Sequence, residues 1–131
     1  MPTGQFLPVN DAIPTILVVD DDPGVRRLLV DLLDENGYRV LEAGGASQAL
    51  AVLFSHDGDI GLLLTDVVMP GLSGFALARE VRSLRPHVRV LYCSGYIAPH
   101  EWNEPLYGPM ICKPFRIDQV LSLVRQALGT A

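Results

Sequence analysis

Lysine is almost missing from this chain. Of its ten basic residues nine are arginine, and Lys113 stands alone. Basic charge is scarce overall: the net charge is −5, which argues against a nucleic-acid surface. Long hydrophobic runs are also absent. The longest apolar stretches are strand length, far short of a membrane span. Residues 1–14 lack a basic start followed by an apolar core, so no signal peptide is expected. There are only two cysteines, Cys93 and Cys112, each just before a polar strand-end residue, Ser94 and Lys113, so adjacent strands are expected to set them side by side as unbonded thiols. Both sit in strand-like runs and read as buried free thiols of a cytoplasmic protein, since metal ligation needs more partners at closer spacing. No internal repeat or low-complexity run interrupts the chain. What is present is a chain of 131 residues, 49% apolar, enough for one domain with a real core. That composition excludes a disordered tail.

Pro2, Pro8 and Pro14 without any apolar period mark residues 1–14 as a flexible N-terminal arm. Residues 15–128 read as the domain and 129–131 as a tail. Strand 1 is expected at Thr15–Asp20. Asp22-Pro23 then starts a helix, the acid as cap and proline at its first position. Val25, Leu28, Leu29, Leu32 and Leu33 keep the helical period until Gly37. Tyr38–Glu42 is a short strand, and Ala46, Ala49, Leu50, Leu53 and Phe54 mark helix 2. Gly61–Thr65 is strand 3, ending in Asp66. Pro70–Gly74 is a loop, and Phe75, Ala78, Val81 and Leu84 mark helix 3, stopped before Pro86. Val88–Cys93 and Met110–Cys112 are the last strands, and Ile117, Val120, Leu121, Val124 and Leu128 the last helix. Between those strands, Pro99, Pro105, Gly108 and Pro109 break any period, so Gly95–Pro109 is expected to hold a short or irregular helix 4.

Four of the apolar runs end in polar residues: Asp20-Asp21-Asp22, Asp66, Ser94 and Lys113. Short apolar runs alternating with helices read as buried parallel strands. In such a sheet all carboxyl ends share one edge, where ligands bind. The edge therefore gathers carboxylates, a hydroxyl and an ammonium. Carboxylates suit a hard cation; ammonium and hydroxyl suit an anion. Adjacent Asp20 and Asp21 repel, and a divalent cation relieves that repulsion. Asp22 is assigned to capping.

These stretches resemble the receiver domain of bacterial two-component response regulators, over about residues 15–128. The matching motifs are Ile16–Pro23, Asp66–Gly74, Ser94-Gly95-Tyr96 and Lys113-Pro114-Phe115. They look like those of receivers attached to hybrid sensor kinases. The resemblance implies a doubly wound, flavodoxin-like α/β fold with a five-stranded parallel sheet in order 2-1-3-4-5. It implies that Asp66 is the phosphoacceptor and that Ser94 and Lys113 contact phosphoryl oxygens. It implies Mg²⁺ held by Asp21, Asp66 and the Val68 backbone carbonyl, with Asp20 acting through a water. Lys113-Pro114 is expected to be cis. The implied partner is a histidine kinase or a histidine phosphotransfer protein, and the output protein is unknown. His56, His87 and His100 do not look like donors within this chain. In the family, residues two after the acceptor and two after the hydroxyl flank the approach of hydrolytic water. Here they are Val68 and Tyr96, which implies a long-lived phosphorylated state. An aromatic commonly stands three residues before the lysine; here it is Met110. The change on phosphorylation is therefore expected at Ser94–Trp102 and Asp66–Gly74, with little at Met110.

Two other readings compete. Asp20-Asp21-Asp22 contains the start of a haloacid-dehalogenase phosphohydrolase, but Gly24 stands where that family needs Thr or Val, and no acidic pair follows Lys113. A receiver-like interaction module that is never phosphorylated is the second.

Overall fold

The computed structural model describes residues 13–95 and 106–129. Five strands alternate with four helices among them: β1 (Thr15–Val19), α1 (Pro23–Glu35), β2 (Arg39–Ala43), α2 (Ala46–Ser55), β3 (Leu62–Thr65), α3 (Gly74–Leu84), β4 (Arg89–Ser94), β5 (Met110–Cys112) and α4 (Ile117–Leu128). Every strand pairing is parallel, and the sheet order is β2-β1-β3-β4-β5. The order and all four helices match the sequence reading, and most boundaries agree within one residue. Residues 1–12, 96–105 and 130–131 lie outside the described residues. They include most of the N-terminal arm and the centre of the irregular fourth crossover, with Tyr96, His100 and Trp102 of the sequence reading.

The strand β1 is buried along its whole length, because both of its faces are covered. Its alternate side chains feed two different cores. Leu17 and Val19 pack with Ala49 and Leu53 of α2 and Leu77 and Val81 of α3. Ile16 and Val18 pack with Leu29 and Leu33 of α1 and Val120 and Val124 of α4. Each such fully buried aliphatic side chain is worth about 1.5–3 kcal/mol. The sheet is thus clamped from both sides, and its carboxyl edge is rigidly placed.

Local signals fix the helix ends. Asp22 caps α1, accepting from the Gly24 and Val25 amides at 2.9 and 3.3 Å. Ser73 does the same for α3 through the Ala76 amide. Gly37, with φ of 91°, turns the chain out of α1. The Lys113-Pro114 bond is cis, as the resemblance implied.

The cysteines correct the sequence reading. Ser94 pairs with Cys112 and Cys93 with Ile111, so the thiols are one residue out of phase. Adjacent residues on a strand face opposite ways. Cys93 therefore joins Ile111 in the core under α1 and α4, whereas Cys112 is exposed on the sheet's edge strand. Lys113 lies just past β5, donating its amide to the Ser94 carbonyl at 2.7 Å. That step displaces Cys112 from the register its neighbour suggested.

Candidate functional site

The carboxyl edge brings together the polar residues that end four strands. Asp20 follows β1, Asp66 follows β3, Ser94 ends β4, and Lys113 follows β5. Asp20, Asp66 and Ser94 are buried, and Asp21 is exposed at the rim. Carboxylate oxygens of Asp20, Asp21 and Asp66 all lie within 4.8 Å of one another. This is the only such group of potential metal ligands among the described residues.

Backbone and side-chain bonds fix the aim of each carboxylate. Asp20 Oδ1 accepts the Asp22 amide at 2.9 Å, and Asp20 Oδ2 accepts Lys113 Nζ at 2.9 Å. The Asp66 amide is tied to the Val19 carbonyl at 2.8 Å. Asp66 Oδ1 accepts the Val67 amide at 2.7 Å, and Oδ2 faces Lys113 Nζ at 3.5 Å. The Thr65 hydroxyl donates to the Asp66 carbonyl at 2.8 Å. Beyond the acceptor loop, the Gly74 amide donates to the Val67 carbonyl at 2.8 Å. A Cβ at position 74 would collide with the Asp66 carbonyl oxygen, so only glycine lets α3 start against this strand end. Val68, between them, is exposed at the rim.

The electrostatics are those of an anionic pocket with one cation. Burial, then the neighbouring Asp20 charge, push the Asp66 carboxyl above its ordinary value. The Lys113 charge and hydrogen bonds from Ser94 and the Val67 amide pull the other way without cancelling the rise. Burial pulls the Lys113 ammonium down. Its hydrogen bond to Asp20 and the charges of Asp20 and Asp66 outweigh that and leave it raised. Three carboxylates therefore share one ammonium, and the donor set is all oxygen. That chemistry fits a hard divalent cation, and Mg²⁺ characteristically takes one or two carboxylates and keeps several waters.

The structure brings Asp20, Asp21, Asp66, Ser94 and Lys113, the polar strand-end residues singled out in the sequence, to one edge. Sequence reasoning missed Arg26, whose Nη1 donates to the Asp20 carbonyl at 2.7 Å. Nothing in the sequence separates Arg26 from the neighbouring arginine on the same helix turn. Among the described residues no helix is long and apolar enough to cross a membrane.

The geometry agrees with what the chain is similar to. The family model for the response regulator receiver domain matches residues 16–125. The sensor kinase CckA of Brucella abortus is 32% identical over 118 residues, covering 87% of this chain and 12% of the kinase. The transcriptional regulatory protein AruR of Pseudomonas aeruginosa is 45% identical over 86 residues, covering 63% of this chain and 35% of the regulator. The chain thus spans only a fraction of the length of either relative. A solved structure of the response regulator TrrA from Thermotoga maritima, in complex with Mg²⁺-BeF, superposes with a TM-score of 0.76. It is 32% identical and covers 88% of this chain and 100% of that one. A five-stranded parallel sheet carrying an acidic pocket at its carboxyl edge, and a family match over nearly its full length, show that the chain belongs to the response regulator receiver domain family, the phosphoacceptor switches of two-component signalling.

Proposed function

We propose that Asp66 is the phosphoacceptor and that it takes its phosphoryl group from a phosphohistidine of a histidine kinase or histidine phosphotransfer protein in the cytoplasm. The observation that carries this is the position of Asp66: buried, just past the central strand β3, and facing both Asp20 and the sole lysine of the chain.

In the transfer, one Asp66 oxygen attacks phosphorus in line with the phosphorus–nitrogen bond. The new oxygen–phosphorus bond forms as the imidazole nitrogen leaves with the bonding pair. Such a reaction needs little covalent help and much positioning and charge neutralisation. The Val67 amide and the Thr65 hydroxyl, on Asp66 Oδ1 and the Asp66 carbonyl, hold the nucleophile's peptide and carboxylate still. Lys113 and Ser94 neutralise phosphoryl oxygens, the ammonium as a compact point charge. Asp21, Asp66 and the Val68 carbonyl would hold Mg²⁺, with Asp20 acting through a water. The Val67 carbonyl is already engaged by the Gly74 amide. When bound, Mg²⁺ supplies further neutralisation of the phosphoryl charge. Val68 is exposed at the rim, and Tyr96 lies outside the described residues. These two flank the approach of water, and neither brings a carboxylate or amide to orient it, so the acyl phosphate should outlast that of chemotaxis-type receivers. Val68→Asn should speed its decay, measured by the rate at which the phosphorylated form disappears.

The test is incubation with acetyl phosphate and Mg²⁺ followed by peptide mapping. Label on Asp66 alone, lost in Asp66→Asn and in chelator, is the expected result. Equal labelling of Asp66→Asn, or labelling indifferent to chelator, overturns the assignment.

A further inference from the structure

Asp21 is the outlying member of the carboxylate group. Asp20 and Asp66 are buried, but Asp21 is exposed, so packing does not fix where its carboxylate points. The backbone that carries it is placed by the peptide plane that joins it to Asp20. The oxygen of that plane is the Asp20 carbonyl, which accepts Arg26 Nη1 at 2.7 Å. The same guanidinium donates through Nε to Glu42 Oε1 at 3.0 Å. Glu42 lies in β2, and its second oxygen accepts Arg27 at 3.2 Å. The Asp20 amide is tied to the same strand end, through the Ala43 carbonyl at 3.2 Å. Residue 20 is therefore gripped on both sides of its α-carbon. The Arg26 side chain is only 22% exposed, and a Cβ at Gly44 would stand 3.2 Å from its Nη1, so the fork sits in a fitted space.

We propose that Arg26, anchored by Glu42, is a positioning residue for the divalent cation: it holds the Asp20–Asp21 peptide so that the Asp21 carboxylate aims into the pocket. This rests on the reading that Asp21 is a cation ligand. Planar guanidinium suits the task because one rigid fork serves two acceptors at once, which an ammonium cannot do in the same geometry. The inference has a diagnostic sign. Through charge alone, a guanidinium beside the pocket repels a dication, and removing it should tighten binding. Through positioning, removing it should weaken binding.

Isothermal titration of the unphosphorylated protein with Mg²⁺ tests this, using wild type, Arg26→Met, Arg26→Lys and Asp21→Asn. Thermal unfolding in chelator checks the fold of each. Arg26→Met should bind roughly tenfold more weakly, the size typical for groups that orient metal ligands. Arg26→Lys, which keeps the charge and loses the fork, should bind severalfold more weakly. Unchanged or tighter binding by Arg26→Met overturns the inference, and so does wild-type affinity in Arg26→Lys. If Arg26→Met fails to fold, Arg26→Lys decides alone. If wild type binds no Mg²⁺, or Asp21→Asn binds as wild type does, the ligand assignment has failed and the inference falls with it. Binding that depends on Asp21 but not on Arg26 overturns the positioning role by itself.

Discussion

At the scale of single residues, the pocket is arranged for something it must bind. Asp66 is held where its ionised form is disfavoured, first by burial and then by Asp20. Because the native carboxyl is raised above its ordinary value of 3.8, the native state binds protons more tightly than the unfolded chain. Stability therefore falls as pH rises through that value towards the raised one, and the whole cost applies above the raised one. Asp66→Asn removes it. In chelator at pH 7, the variant should unfold at a higher temperature than wild type, and the gap should close near pH 3.5. Differential scanning calorimetry at the two pH values checks the sign; a less stable variant at pH 7 would contradict the account. The thiols offer a second measurement. Burial drives the Cys93 thiol up to about 12, whereas Cys112 is exposed. Thiolate is the reactive form. Ellman titration at pH 8 should count one fast thiol in the native protein and two after unfolding. Two fast native thiols would mean that β4 is not packed as described.

At the scale of elements, each of the three adjacent aspartates has its own job. Asp22 belongs to α1, where it caps two amides. Asp20 and Asp21 belong to the pocket. Asp22→Ala should cost about 1 kcal/mol of stability by urea unfolding while leaving Mg²⁺ binding intact. Asp21→Asn should do the reverse; a large loss of Mg²⁺ affinity in Asp22→Ala would show that the division is wrong. The elements themselves were legible in the sequence because local signals agree with the tertiary demands on them. Pro23 behind Asp22, Gly37 after the last apolar residue of α1, and the apolar run of β1 each allow one structure at low cost. Register was not legible between β4 and β5. The two cysteines precede two site residues, and that parallel suggested pairing; the chain instead pairs Cys112 with Ser94 and sets Lys113 beyond the strand. A one-residue shift in a three-residue strand leaves no sequence trace, because Met110, Ile111 and Cys112 are all apolar.

At the scale of the whole molecule, the pocket sits at the junction of two cores, and its two sides lead into different ones. Val67, Met69 and Phe75, on the acceptor loop and the start of α3, belong to the core beneath α2 and α3. Phe115, just after Lys113, packs on the core beneath α1 and α4. The candidate site was legible because parallel strands carry their ends to one edge whatever fills the interior. The Arg26–Glu42 fork was not, because it depends on how α1 sits over β2, a tertiary fact with no local signature. The same layout predicts where a phosphoryl group acts. Lys113 now bonds Asp20 at 2.9 Å and lies 3.5 Å from Asp66. A phosphoryl group on Asp66 draws the ammonium and Ser94 towards itself, pulling on the acceptor loop and on the Lys113–Phe115 turn. Met110, three residues before the lysine, packs against the α2–α3 core. Phe75 stacks edge-on to Tyr92 at 5.4 Å, and the Tyr92 hydroxyl accepts the Tyr107 amide at 3.3 Å, so contacts run from the start of α3 to the chain entering β5. Hydrogen exchange with Mg²⁺ and beryllofluoride should show slowed amides at 66–74, 94–95 and 113–115. Met110 and the lower edge near Gly61 should stay unchanged. Dominant changes in Met110–Cys112 and α4, with none at 66–74, would mean that the signal leaves through the edge strand and not through the acceptor loop.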